Sequence, residues 1–209
     1  MLDRVRIALP KGRIFTQALD MLRPMGIELT EDPEVSRKLI WPTTDPSIEV
    51  VRVRSVDVPT FVEHGAADLG IAGKDVIVEH GAEGFYEPLD LEIAKCRFSV
   101  CGYAGTDSTR RNLKVATKFK KVALDFFAAR RQPVEIIKLN GALELAPIVG
   151  LADVIVDIVE TGSTLKANGL VELEPVGEIS SRIIVNRASS KLKHQRIRPM
   201  LDALKKQIR

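Results

Sequence analysis

The densest run of side chains able to do chemistry lies between residues 157 and 165, which read DIVETGSTL. Asp157 and Glu160 supply carboxylates, and Thr161, Ser163 and Thr164 supply hydroxyls around Gly162. If a helix starts here, its first N–H groups have no carbonyl partner and carry the positive end of the peptide dipoles. With hydroxyl donors beside them, such groups suit a phosphate. Carboxylates next to a phosphate repel it unless they face another part of the ligand. The vicinal hydroxyls of a ribose are suitable donors for an ionised acceptor. Asp157, Glu160, Thr161, Gly162, Ser163, Thr164 and Leu165 therefore form a candidate site for a 5-phosphoribosyl group, with the phosphate on the loop and the sugar hydroxyls on Asp157 or Glu160. A bare TGxT is as readily an ordinary capped turn. The strand before it, the two acids and the helix stop behind it, all in register, favour a ligand.

Those groups need a strand, a turn and a helix to hold them. Val154, Ile155, Val156 and Ile158, interrupted by Asp157, read as a strand covered on both faces, as in a parallel sheet. It is expected to stop near Val159, and Leu165 to Asn168, closed by Gly169, to form a short helix. Near the N-terminus the same grammar recurs. Val5 to Leu9 is apolar, Pro10, Lys11, Gly12 and Arg13 make a basic turn, and Ile14, Phe15, Ala18, Leu19 and Leu22 lie on one face of a helix. Alone, that turn is as readily a solvated one; beside a site for a phosphorylated ligand, Lys11 and Arg13 become polyphosphate candidates.

After a loop that includes Trp41, residues 48–53 read as a strand leading to Arg54. Asp57 and Pro59 mark the start of a helix that runs to Glu63. Residues 67–73 read as a strand ending in glycine, and Lys74 and Asp75 open a helix that runs to His80. Gly70 and Gly73 would let a ligand approach the backbone. Asp68 and Asp75 read equally as caps or as ligand groups. Farther on, strands at 92–103, 113–119, 134–139 and 154–159 alternate with helices at 121–130 and 143–149, which implies a second parallel sheet. Asn140 and Gly141 offer one more helix start, with Glu144 on its first turn. Residues 171–185 read as a long return strand. The chain is thus an α/β protein of two lobes: lobe I from 1–91 plus 178–209, and lobe II from 92–177. Two crossings, near Leu91 and Gly177, would make a hinge around a cleft.

Composition narrows the class. The chain has 209 residues, 45% of them apolar and 28% charged, as in water-soluble globular proteins. No apolar run reaches the roughly 18 residues of a membrane span, and MLDRVRIALPKGR carries charges where a signal peptide needs an apolar stretch. A cytoplasmic protein without a membrane partner is expected. Cys96 and Cys101, five positions apart on a strand, face opposite ways and read as core residues rather than a disulfide or metal pair. His64, His80 and His194 lack the spacing of a zinc site. Residues 182–209 carry nine Lys or Arg against one acid. Ile197, Met200, Leu201, Leu204 and Ile208 share one face there, which reads as a docked helix with a solvated basic side. No aromatic residues interleave with the bases, so no nucleic-acid partner is expected.

The loop at 161–164 resembles the phosphoribosyl pyrophosphate loop of phosphoribosyltransferases. It departs from the commonest form in having Val156 and Asp157 where two adjacent acids are usual, with the second acid displaced to Glu160. The segments RIALPKGR (6–13), DVPTFVEHGAADLGIAGKDV (57–76) and KLNGALELAPIVGLADVIVDIVETGSTLKANGL (138–170), in that order, resemble the short form of the ATP phosphoribosyltransferase family, whose reaction opens histidine biosynthesis. The resemblance implies lobes similar to type II periplasmic binding proteins, with catalysis in the cleft. It implies transfer of phosphoribosyl from its pyrophosphate to N1 of ATP, with Mg2+ carried by substrate phosphates rather than by a protein metal site. Lys11, Arg13 and Arg54 would hold polyphosphate as the catalytic cations, and Asp68, Gly73 and Asp75 would line the opposing wall near ATP. The resemblance also implies a separate regulatory subunit similar to histidyl-tRNA synthetase, assembled with this chain into a hetero-octamer. A cytoplasmic solute-binding or sensor module of the same two-lobed fold, and a salvage phosphoribosyltransferase acting on a free base, are the competing readings.

Overall fold

The computed structural model describes residues 4–33, 35–36, 38–81 and 83–208. In chain order the elements are β1 (Val5–Pro10), α1 (Arg13–Leu22), β2 (Ile40–Pro42), β3 (Ile48–Val53), α2 (Val58–Glu63), β4 (Leu69–Gly73), α3 (Lys74–His80) and β5 (Phe85–Asp90). Then come β6 (Cys96–Gly102), β7 (Leu113–Thr117), α4 (Lys120–Ala129), β8 (Val134–Lys138), α5 (Leu145–Ile148), β9 (Val154–Val159), α6 (Ser163–Ala167) and β10 (Val171–Ile179). The chain ends with β11 (Ser181–Asn186), α7 (Arg187–Leu192) and α8 (His194–Gln207). It divides into two compact units, Met1–Ala94 with Ser180–Arg209, and Lys95–Ile179.

In the first unit a six-stranded sheet runs β2-β3-β1-β4-β11-β5. β1 is parallel to β3 on one side and to β4 on the other, whereas β2, β11 and β5 run antiparallel to their neighbours. The chain goes from β1 out to β3 and then crosses back to β4. This reversal places α1 and α2 on opposite faces. Ile7 and Leu9 face Phe15, Ala18 and Leu22, while Ala8 faces Val58 and Val62, as the two-residue alternation of a strand dictates. A reversal of strand order opens a crevice at the carboxyl ends of the parallel strands, the usual ligand position in α/β sheets. The helix α8 docks Ile197, Met200 and Leu204 into the same core as α1, with its bases largely turned out. Asn186 starts α7: its Oδ1 accepts from the Ala188 and Ser189 N–H groups, and its Nδ2 donates to the Val62 carbonyl.

The second unit holds a five-stranded sheet, β10-β6-β9-β7-β8. β7, β8 and β9 are parallel, but β6 runs antiparallel to β9 and β10 antiparallel to β6. The sheet is therefore mixed, which corrects the expectation of a parallel one. Here too the chain goes from β7 out to β8 and back across to β9. α4 packs on Val115, Val154 and Val156, whereas α5 and α6 pack on Ala116 and Ile155 on the other face.

Several other boundaries differ from the sequence reading. Trp41 sits on the short edge strand β2, fully buried, rather than in a loop. The strand β5, with Pro88 and three acids near it, had no pattern to announce it; it is an edge strand, where proline is tolerated. The long return at 171–185 is two strands that belong to different sheets. Among the described residues no helix is long and apolar enough to cross a membrane.

Candidate functional site

In the second unit β9 carries Asp157 near its end and hands the chain to the predicted loop. Gly162 adopts the left-handed conformation (φ 73°, ψ 7°) and occupies the N-cap of α6, so the helix begins at Ser163, two residues before the expected start. A left-handed turn is nearly free for glycine and strained for other residues. α6 ends as a Schellman motif: Leu170 N–H donates to the Leu165 carbonyl, Gly169 N–H to that of Lys166, and Leu165 and Leu170 bury together. This short helix is thereby pinned at its far end, and the loop at its near end has a defined shape.

Within the loop Thr161 Oγ1 donates to Ser163 Oγ at 3.0 Å and accepts from the Ser163 N–H at 3.3 Å. The Ser163 hydroxyl, already accepting, keeps its own proton for a ligand. A cavity of ≈ 230 Å³ is lined, among the described residues, by Glu144 and Asp157 to Leu165. It therefore brings together every residue expected to hold the phosphoribosyl group. The volume is below the roughly 300–1,000 Å³ usual for drug-sized ligands and suits a small one.

Asp157 decides what else the cavity takes. Its Oδ1 is buried and has no hydrogen-bond partner among the described residues. Lys118 Nζ, at the end of the neighbouring strand β7, stands 3.7 Å away, close enough to pair electrostatically and too far to hydrogen-bond. Burial pushes the Asp157 carboxyl above its ordinary range; Glu144 adds to the rise and Lys118 opposes it. Glu144 and Lys118 were absent from the expected site. Glu144 had a sequence signal, its place before the helix at 145, whereas Lys118 is brought in only by the pairing of β7 with β9. Asn140 caps nothing: the N-cap of α5 is Glu144.

In the first unit the predicted residues gather at the carboxyl ends of β1, β3 and β4, with one exception. Lys11 follows β1, its N–H donating to the Val53 carbonyl at 3.3 Å, and Arg13 opens α1 behind Gly12 (φ 90°). Arg54 follows β3, whose Val53 is the register partner of Pro10. Lys11, Arg13 and Arg54 are all exposed. Gly73 ends β4 and caps α3, and Asp75 folds back over it: a β-carbon on Gly73 would lie 2.1 Å from Asp75 Oδ1.

Asp68 is the exception. It lies at the opposite end of β4 from Gly73, about 16 Å away at ~3.3 Å per residue, and is 5% exposed. It accepts from the Arg6 N–H (2.8 Å), Ser189 Oγ (2.6 Å) and Lys193 Nζ (2.7 Å). The structure thus separates Asp68 from Gly73 and Asp75 and gives its carboxylate three donors of its own. Gly70 is likewise explained by packing, since a β-carbon there would lie 2.7 Å from Val62 and 2.8 Å from Val58.

Comparison with known proteins identifies the family. A family model described as HisG, ATP phosphoribosyltransferase, matches residues 54–206. The chain is 55% identical over 204 residues to an ATP phosphoribosyltransferase of Methylibium petroleiphilum, covering 95% of each chain. It is 55% identical over 205 residues to one of Burkholderia cenocepacia, covering 96% of this chain and 94% of that one. Among solved structures it superposes on the ATP phosphoribosyl transferase (HisG:HisZ) complex of Thermotoga maritima with a TM-score of 0.84 and 33% identity, covering 98% of each chain. The fold alone is shared with the periplasmic VFT2 domain of Bordetella pertussis BvgS, at TM-score 0.58 and 14% identity over 99% of this chain and 94% of that one. It is also shared with the alkanesulfonate-binding protein SsuA of Xanthomonas axonopodis pv. citri, at TM-score 0.59 and 13% identity over 98% of this chain and 72% of that one. The two-sheet α/β architecture is thus that of periplasmic binding proteins, and the chain belongs to the ATP phosphoribosyltransferase family.

Proposed function

We propose that the chain transfers the 5-phosphoribosyl group of phosphoribosyl pyrophosphate to N1 of ATP, releasing pyrophosphate, the first step of histidine biosynthesis. The observation that carries the site reading is Asp157 Oδ1, buried without a hydrogen-bond donor among the described residues, in a residue that lines the loop's own cavity. An orphaned buried acceptor is costly, and a ribose hydroxyl is a donor of the right kind. The N–H groups around Gly162 and the Ser163 hydroxyl then take the 5-phosphate, and Glu160 is the second acceptor for the sugar.

N1 of adenine has a free lone pair and needs no strong base. The chain's work is to hold it in line with the anomeric carbon and to stabilise the departing pyrophosphate. Lys11, Arg13 and Arg54 are the cations for that charge, and Gly73 and Asp75 are the ATP-side candidates. Mg2+, when bound through the substrate phosphates, would supply charge neutralisation for the leaving group, since phosphate oxygens are the hard donors it prefers. Among the described residues no three His, Cys, Asp or Glu side chains converge as a metal site; of the residues in the loop's cavity, the Asp157 and Glu160 carboxylates are the hard-oxygen donors that would face such an ion. Because the Thermotoga maritima relative was solved as a HisG:HisZ complex, we propose that this chain also assembles with a regulatory subunit of the HisZ kind, in a hetero-octamer.

The test is to incubate the chain, with and without such a subunit, with phosphoribosyl pyrophosphate, Mg2+ and either ATP or free purine and pyrimidine bases. Pyrophosphate and phosphoribosyl-ATP are expected with ATP alone. Product from a free base, or tight calorimetric binding of a small acid with none of ATP, would overturn the proposal.

A further inference from the structure

Next to the phosphate loop lies an ion pair that none of the roles above uses. Arg97, on β6, donates through Nε to Glu172 Oε2 at 2.7 Å and pairs through Nη2 with Glu172 Oε1. Ser99, fully buried two residues along, donates to the same carboxylate at 2.8 Å. The pair is about one-third exposed, 35% for Arg97 and 30% for Glu172. Both partners are held in their charged forms: hydrogen bonding to Arg97 lowers the Glu172 carboxyl below its ordinary range, and Glu172 raises the guanidinium.

Two contacts connect this pair to the loop. Arg97 Nη1 donates to the Glu160 carbonyl at 3.4 Å, at the point where β9 ends and the loop begins. Glu172 Oε1 lies 3.9 Å from where a Gly162 β-carbon would be. A carboxylate that close to the loop opposes binding of a phosphate unless its charge is cancelled, and the forked guanidinium cancels it while also holding the backbone.

We propose that Arg97 is the positioning residue of the phosphate loop, fixing the Glu160 carbonyl and screening the Glu172 carboxylate from the bound phosphate. The inference rests on the reading of the loop as the 5-phosphate site. It assigns the two members of the pair unequal roles. Removing Arg97 frees the loop's first residue and exposes the phosphate to Glu172. Removing both frees the loop but also removes the opposing charge.

The test measures KM for phosphoribosyl pyrophosphate, KM for ATP and kcat on the full chain with the same partner subunit throughout. Arg97→Ala is expected to raise KM for phosphoribosyl pyrophosphate about tenfold, with KM for ATP and kcat within about twofold. The double variant Arg97→Ala/Glu172→Ala is expected to recover part of the loss, to about threefold above wild type. An unchanged KM in Arg97→Ala, or a double variant no better than the single one, overturns the inference. If Arg97→Ala does not fold, Arg97→Lys and Arg97→Gln take its place. Lysine keeps the screening charge but loses the fork, so it is expected to raise KM about threefold and glutamine about tenfold, and equal values overturn the inference. Gly162→Val separates the two levels. If it leaves KM unchanged, the loop reading itself fails. If it raises KM while the Arg97 variants do not, only the role of Arg97 fails.

Discussion

Asp157 Oδ1 and Lys118 Nζ stand 3.7 Å apart at the ends of adjacent parallel strands. Burial raises the Asp157 carboxyl's pKa against the opposing charge of Lys118, and among the described residues Oδ1 has no hydrogen-bond partner. A buried acceptor left without a donor costs stability, and the proposed function gives this one to a ribose hydroxyl.

Replacing Asp157 with Asn is therefore expected to weaken function and strengthen the fold. Burial, then Glu144, raises the folded carboxyl's pKa, against the opposing charge of Lys118. A raised folded pKa gives stability that is present in full below the unfolded value and lost as pH rises through the folded one. At neutral pH the wild type bears that loss and Asp157→Asn does not. Thermal melts are expected to show a higher Tm for the variant at pH 7.5, and a gap that narrows as pH falls toward 4. KM for phosphoribosyl pyrophosphate is expected to rise at least ~tenfold, the loss of a hydrogen bond to a charged group. A lower Tm at pH 7.5 would remove the argument that this carboxylate is an unmet acceptor.

Gly70 and Gly73, three residues apart on one strand, are expected to respond differently to alanine. At Gly70 the new methyl meets Val58 and Val62 at 2.7–2.8 Å. The cost is that of overpacking, about 1–3 kcal/mol in denaturant unfolding, with KM values unchanged. At Gly73 the backbone is extended (φ −63°) and the atoms nearest the new methyl belong to the Asp75 side chain, so the displacement falls on one polar side chain rather than on packed core. Gly73→Ala is expected to stay within ~0.5 kcal/mol of wild type while raising KM for ATP. Equal stability losses at the two positions would contradict the difference.

Asp68 is expected to behave as a structural residue. With three donors on a carboxylate 5% exposed, Asp68→Ala takes this acceptor from the Arg6 N–H and Ser189 Oγ and takes from Lys193 its anionic partner, leaving it the Arg4 carbonyl. A loss of roughly 2–4 kcal/mol in unfolding free energy is expected. KM for ATP, measured where the variant is folded, is expected to stay at the wild-type value. A large rise in that KM with little loss of stability would return Asp68 to the ATP side.

How far the sequence could be read depends on how local each determinant was. The strands β1, β3 and β9 announced themselves as apolar runs, and the loop at 161–164 as a glycine among hydroxyls behind one of them. β5 could not be seen, because an edge strand needs no apolar alternation on its open side and Pro88 argues against a strand. The direction of β6 was also out of reach. Alternating strands and helices imply parallel neighbours, but a strand's own pattern carries no record of which partner it joins or in which sense. Lys118, Glu172 and Arg97 share the reason in another form. Arg97 and Glu172 are 75 residues apart, and each is an ordinary surface-type charge until the sheet pairs β6 with β10. Asp68 stayed open between cap and ligand group because a carboxylate at a strand start looks the same in sequence whether its donors are ligand atoms or a lysine 125 residues away.

The central claim is that the turn after Val159 takes the terminal phosphate of the sugar. Backbone amide NMR of the full chain, titrated with phosphoribosyl pyrophosphate, with ribose 5-phosphate and with ribose, tests it most directly. The expected result is that the N–H resonances of Gly162, Ser163, Thr164 and Leu165 move with both phosphorylated sugars and stay in place with ribose. If those four stay still while resonances elsewhere shift with the phosphorylated sugars, the 5-phosphate binds at another place and the assignment is wrong.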